Sequence, residues 1–222
     1  AIALVLTMLG STVAASAEST SKWSEKRTAN GWMQVVNEGG ATLGYSKSSG
    51  VSIIEDDGFA FKDLNRNGKL DPYEDWRLDD ETRARALADS LSVEEMTPLF
   101  THGGWSSFGS AIEGTDLDYV LAGGRGGVTR SASVSGNTTM AVEWVNALQA
   151  LCEETGSWGI PATISVDPAN ISGTIDQTAL ASTMDVEQAF QLGVMHGKMY
   201  RAVGITMLLG PMVSIGTQPT MS

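Results

Sequence analysis

Cysteine is almost absent. Cys152 stands alone in 222 residues, so no internal disulfide can staple the fold and stability must come from packing. Histidine is nearly as scarce, and neither His102 nor His196 has a second ligand at metal-binding spacing, which leaves both as ordinary polar or packed residues. Basic residues are outnumbered, 14 Lys and Arg against 26 Asp and Glu, for a net charge of −12. Such a surface repels nucleic acid and suits cations or neutral substrates. Half of the acids fall between Glu55 and Glu95, where a solvated acidic face explains most of them equally well. No apolar run is long enough to span a bilayer. The short hydrophobic stretch Leu4, Val5, Leu6, Met8 and Leu9 ends at Ala15-Ser16-Ala17, an A-x-A cleavage pattern, so residues 1–17 read as a signal peptide remnant and the mature chain is expected to begin near Glu18. A secreted or periplasmic protein follows from that reading. With 42% hydrophobic and 18% charged residues, the chain has the composition of a soluble globular protein.

Motifs for several chemistries are missing as well. The run Gly123-Gly124-Arg125-Gly126-Gly127 is followed by no Walker lysine and fits no nucleotide fingerprint. Ser165 and Ser172 sit in no nucleophile elbow. Trp105 and Phe108 lie in a Gly-rich loop, where they can either stack on a sugar ring or pack beneath the N-terminal residues.

What the chain does have is the stretch Asp63-Leu-Asn-Arg-Asn-Gly-Lys-Leu-Asp-Pro-Tyr-Glu74. Calcium takes about six to eight oxygen ligands, and a loop of about twelve residues supplies them at alternating positions. Asp63, Asn65 and Asn67 occupy the first, third and fifth places, Gly68 allows the sharp bend at the sixth, and the Lys69 carbonyl can serve at the seventh. Asp71 falls at the ninth, and Glu74 where a bidentate carboxylate closes the cage. Ca2+ in a structural, EF-hand-like loop is the expectation; a metal-free turn built from the same Asp, Asn and Gly residues is the alternative. No second such loop occurs, so this is not a paired EF-hand module.

Residues 18–58, rich in Ser, Gly and Thr, read as an N-terminal arm with one or two strands. Asp79 or Asp80 can cap a helix carrying Ala84, Leu87, Ala88 and Leu91 at helical spacing, and Ser92 with Glu95 forms a capping box for the next. Beyond them strand and helix alternate: a strand over Gly124 to Thr129, a helix over Asn137 to Glu154 with Met140, Trp144, Leu148 and Leu151 on one face, a strand over Ile160 to Val166, a helix over Asp185 to Ala202, and a strand over Gly204 to Leu209. This order predicts an α/β fold with parallel pairing and a site at the carboxyl ends of the strands; periodicity alone leaves a doubly wound sheet and a barrel both open.

Several blocks in order carry a specific resemblance: Phe61 to Arg77, the helix Glu81 to Leu91 with Ser92-Val-Glu-Glu-Met96, Glu143 to Gln149, Gly159-Ile-Pro161, Asp167-Pro168, and Tyr200 to Ile205 with Gly210-Pro-Met-Val213. Together they resemble glycoside hydrolase family 3, in particular exported bacterial β-glucosidase-type enzymes. The resemblance implies a partial (β/α)8 TIM-type barrel, with residues 59–222 as the first part of the family's N-terminal barrel domain. It implies a retaining double displacement on β-linked glucosides or related saccharides, which needs a nucleophilic and an acid/base carboxyl group. Both would lie beyond Ser222, so the chain as given is expected to lack catalytic residues. One site residue carries over. Asp167 matches the Asp that hydrogen-bonds the sugar hydroxyls, and its place right after a strand agrees with that role.

The chain departs from the family pattern at Ser214, where an acidic residue is usual, and at Gln218 to Ser222, where a sugar-binding Arg is usual. A half barrel would expose strand edges and apolar faces and self-associate. The alternative function is a non-catalytic, calcium-dependent carbohydrate-binding or interaction protein on the same scaffold.

Overall fold

The structure is a computed structural model, described here for residues 21–106, 111–129, 138–167, 175 and 177–210. The expected signal peptide remnant, Phe108, Ser172, Ser214 and the segment from Gln218 onward lie outside these residues.

The N-terminal part is antiparallel. Strands β1 (Trp23–Arg27), β2 (Met33–Asn37) and β3 (Thr42–Tyr45) form a meander, and β4 (Ser52–Asp56) pairs with β5 (Phe59–Asp63) as a separate hairpin. Within residues 18–58 four short strands, β1 to β4, thus stand where one or two were expected. The signal for the hairpin was in the sequence: Asp57 and Gly58 both adopt positive φ, 52° and 79°, the geometry of a two-residue turn that matches strand twist and favours Asp-Gly. Strand β2 alternates, burying Met33, Val35 and Asn37. Asn37 then joins the two sheets, donating to the Ala60 carbonyl at 3.1 Å and accepting from the Ala60 N–H at 2.7 Å. Trp76 closes this layer by stacking on Phe61, with ring centroids 5.3 Å apart, while its indole N–H donates to the Ala60 carbonyl.

The helices begin as their caps dictate. Asp79 accepts from the Thr82 N–H and starts α1 (Asp80–Ser90); Ser92 and Glu95 cap each other's backbone and start α2 (Val93–Met96). None of α1 is fully buried, so its apolar stripe is only half covered.

The rest is α/β. Strands β6 (His102–Gly104), β7 (Gly126–Val128), β8 (Thr163–Val166) and β9 (Met207–Leu208) form one parallel sheet in chain order. The connections are α3 (Thr115–Leu121), α4 (Thr138–Thr155), and α5 (Gln177–Ser182) with α6 (Val186–Ala202). The core lies between sheet and helices: Ala141, Trp144, Val145, Leu148 and Cys152 of α4 pack against Ile164 and Val166 of β8 and against Tyr200, Val203 and Ile205. The buried face of α4 is therefore rotated by about one residue from the predicted one; Met140 is exposed and Leu151 only partly covered. Burial pushes the Cys152 thiol up to about 11, which keeps it an unreactive core residue.

The glycine-rich run 123–127 is explained by packing. A Cβ on Gly124 would lie 2.4 Å from the Tyr119 ring, one on Gly126 2.9 Å from the His102 ring, and one on Gly127 2.7 Å from the Trp105 indole. Arg125 turns inward and donates to the carbonyls of Val120, Gly124 and Ile160, leaving no phosphate cradle. Replacing Gly124 with alanine should cost about 1–3 kcal/mol by overpacking against Tyr119. A thermal melt followed by circular dichroism checks this, and an unchanged midpoint would show that Tyr119 yields freely.

Candidate functional site

Two places carry the polar residues singled out in the sequence, and they lie at opposite poles of the parallel sheet. Asp167 directly follows β8, at its carboxyl end, and is half-buried. The adjacent strand β7 ends in register with it at Thr129, whose N–H donates to the Ser165 carbonyl at 2.9 Å, and one strand further on Trp105 follows β6. This is the end of a parallel sheet where a ligand meets loops rather than strands. Trp105 does not offer its face to a ligand. It is buried, its indole N–H donates to the Thr163 carbonyl, and its ring packs edge-on to Tyr119 and Trp144. It packs, but into the core of the parallel sheet rather than beneath the N-terminal residues.

A contact that sequence reading missed lies on the same sheet. The His102 Nε2 stands 2.7 Å from the Ser165 hydroxyl, which in turn donates to the Gly127 carbonyl at 3.0 Å. Both bonds are made at once when the Ser165 proton goes to Gly127 and His102 carries its proton on Nε2, an arrangement that holds Ser165 in place. Only the side-chain-free strand Gly126-Gly127 between β6 and β8 permits the approach, a pairing that separation in sequence hides.

The loop 63–74 lies at the amino pole. Leu64 presses against Gly159, Tyr73 meets Trp158 edge-on at 6.0 Å, and both contacts precede β8. The sequence's candidate ligands do draw together here. Asp63 and Glu74 are buried, and Asp63 accepts from the N–H groups of Asn67 and Gly68 at 3.0 and 3.1 Å. Glu74 accepts from Leu64, Asn65 and Asp71, and burial holds its carboxyl above the ordinary value even though these N–H groups favour the charged form. Asn65 and Asn67 each donate a side-chain N–H to Asp71 Oδ2, at 2.7 and 2.6 Å, and Asn67 accepts from the Lys69 N–H. The hard-oxygen residue types that suit calcium are thus present on a tightly curved backbone, with Arg66 and Gly68 at φ 61° and 73°. As arranged, however, hydrogen bonds within the loop engage these oxygens, and the two amides turn N–H groups inward. Among the described residues no three acidic, imidazole or thiol side chains stand close enough to hold a metal ion.

The loop's outward contacts reveal its mechanical role. Arg66 reaches the C-terminal turn of α4, donating to the carbonyls of Glu153, Glu154 and Gly156, and also to Ser49 at 2.8 Å. These are carbonyls that a helix end leaves without partners, and a cation there also meets the negative end of the helix dipole. Lys62, one residue before the loop, pairs with the buried Glu153 carboxylate.

No family model matches the chain. The chain is similar to a periplasmic beta-glucosidase/beta-xylosidase of Dickeya chrysanthemi, at 34% identity over 191 residues covering 77% of this chain and 29% of the relative. It therefore spans less than a third of that relative's length. The similarity supports a glycoside hydrolase relationship. No helix among the described residues is long and apolar enough to cross a membrane.

Substituting Arg66 with alanine should lower stability by about 1–2 kcal/mol, the low part of the range for charged hydrogen bonds because the residue is largely exposed. Chemical denaturation measures it, and a lysine variant should recover only part because one ammonium cannot span the carbonyls a guanidinium does.

Proposed function

We propose that the chain is the N-terminal part of a retaining glycoside hydrolase of the family 3 type, acting on β-linked glucosides or related saccharides in the periplasm or outside the cell. The observation that carries this reading is the similarity to a beta-glucosidase/beta-xylosidase. The parallel sheet supports it. Its four strands follow chain order without the reversal that marks a doubly wound sheet, as the opening strands of a (β/α)8 barrel would. In this reading residues 1–17 are the remnant of an export signal, 18–58 an N-terminal arm, and 59–222 the first part of the barrel domain.

The chemistry divides accordingly. Asp167, at the mouth, accepts hydrogen bonds from sugar hydroxyls and fixes the ring so that its anomeric carbon faces the attacking group. The nucleophile and the acid/base, which retention requires, come from sequence that follows Ser222. The outer face of α6, where Val186, Phe190 and Val194 recur every fourth residue and are exposed, is covered in the longer protein; uncovered, it favours self-association.

A protein extended through the downstream barrel should hydrolyse aryl β-glucosides or β-xylosides, and Asp167→Ala should lower its kcat/KM by about 10- to 100-fold, the scale of one or two lost charged hydrogen bonds. Residues 1–222 alone should show no turnover; measurable hydrolysis by that polypeptide would contradict the division of labour.

Calcium at the loop is part of the same proposal. Asp63, Asn65, Asn67, Asp71 and Glu74, with the Lys69 carbonyl, would hold the ion once the Asn65 and Asn67 amides turn Oδ1 inward, and the ion would serve as a structural cross-link only. A chelator should then lower the melting temperature by several degrees, and an identical melt with and without it would leave the hydrogen-bonded turn as the whole story.

A further inference from the structure

A cavity of about 660 Å³ opens between the β2–β3 hairpin and α4, at the amino pole of the sheet. Pro161 is part of its wall, and Asp167 lies six positions further along the chain; extended, those six steps cover about 20 Å. The cavity and the mouth are therefore separate sites. Neither the mouth nor the loop 63–74 accounts for what lines it.

The lining combines two flat rings with uncommitted amides. Trp32 and Tyr45 both border the cavity and are half-buried, and neither ring pairs with another aromatic among the described residues. Tyr45 has its hydroxyl fixed, donating to Glu25 at 2.6 Å, and burial followed by that carboxylate pushes its pKa up to about 12. It stays neutral, with its ring held in one orientation. Gln34 from β2 and Asn146 from α4 border the same space, half-buried, and among the described residues no side-chain hydrogen bond uses either amide. Deeper in, Lys62 and Glu153 neutralise each other, so the wall holds charge but presents no net sign.

That combination selects a ligand class. Rings offer an apolar face to a flat aliphatic ring, and amides offer paired donors and acceptors to vicinal hydroxyls. Unpaired charge, which would favour a phosphate or carboxylate, is missing from the wall, and the volume lies in the range of small-ligand sites. We infer that this cavity is a second saccharide-binding site, non-catalytic, taking a neutral di- or oligosaccharide between Trp32, Tyr45, Gln34 and Asn146. The choice of β-linked glucose or xylose units rests on the glycosidase reading; the polyol chemistry rests on the lining alone. A site at the pole away from the mouth holds a polymeric substrate near the enzyme without occupying the cleavage subsite, which raises effective concentration.

Calorimetric titration of the 222-residue chain with cellobiose and with xylobiose tests this, maltose and succinate serving as controls. At least one β-linked disaccharide should bind saturably in the millimolar range and succinate should not. Asn146→Ala and Trp32→Ala should each weaken binding at least fivefold, and Lys198→Ala, exposed on α6 and not part of the cavity wall, should leave it unchanged. Asn146 lies on the less buried side of α4, so its variant should melt like the parent and separate lost contact from lost fold. Binding abolished by Asp167→Ala but untouched by Asn146→Ala would place the sugar at the mouth and overturn the inference, as would the absence of saturable binding by every sugar. The two readings fail separately. Asn146-dependent sugar binding in a chain whose extended form hydrolyses no glycoside keeps the cavity and removes the glycosidase; hydrolysis with no Asn146-dependent binding does the reverse.

Discussion

The attachment of the 63–74 loop to the last turn of α4 is the constraint on which the rest of the structure depends. A long helix ending at Thr155 leaves carbonyls without partners, and the loop that follows the antiparallel hairpin supplies the cation that meets them, Arg66. Arg66 does so from a left-handed backbone conformation that a non-glycine residue adopts at some cost. The turn that forces this conformation is held from inside by Asp63 and Glu74, each accepting backbone N–H groups. Loop chemistry and helix capping are thus one device: the acidic residues curve the backbone, the curve aims Arg66, and Arg66 with Lys62 fastens the antiparallel strands beneath the parallel sheet.

This placement separates binding chemistry from support. Asp167 sits at the carboxyl end of β8, where connections to the following elements leave room for a ligand. The oxygen-rich loop and the cavity beside α4 sit at the amino end, where residues ordinarily serve stability. The interior of the sheet between them is tied by unusually small strands. Gly126 and Gly127 let His102 reach across β7 to Ser165 and let Trp105 lie flat against the backbone, so a run that resembles a phosphate loop in composition is a packing seam.

Much of this was legible in the sequence where local rules act. The caps at Asp79 and Ser92 and the alternation of strand and helix from Gly124 onward follow from side-chain chemistry within a few residues, and they recur in the structure, whereas the short β6 and α3 before them were not foreseen. The Asp57-Gly58 turn was equally local, yet Ser and Gly in the surrounding stretch masked the alternation of its flanking strands, and the antiparallel part was underestimated. Non-local pairings were not legible. Nothing near His102 announces Ser165, and nothing near Arg66 announces the end of α4, because parallel sheets bring together residues separated by whole βα units. The loop's ligand pattern shows the reverse difficulty: the same Asp, Asn and Gly residues serve a cation or close a turn by hydrogen bonds, and identity alone cannot choose between them.

The most direct measurement is native-state hydrogen exchange on the chain and its Arg66→Ala variant, resolved by residue. If the loop fastens the two halves, amides of the β4–β5 hairpin and of the C-terminal half of α4 should exchange with one common opening free energy in the parent and with two distinct ones in the variant. Distinct opening free energies already present in the parent would contradict the account.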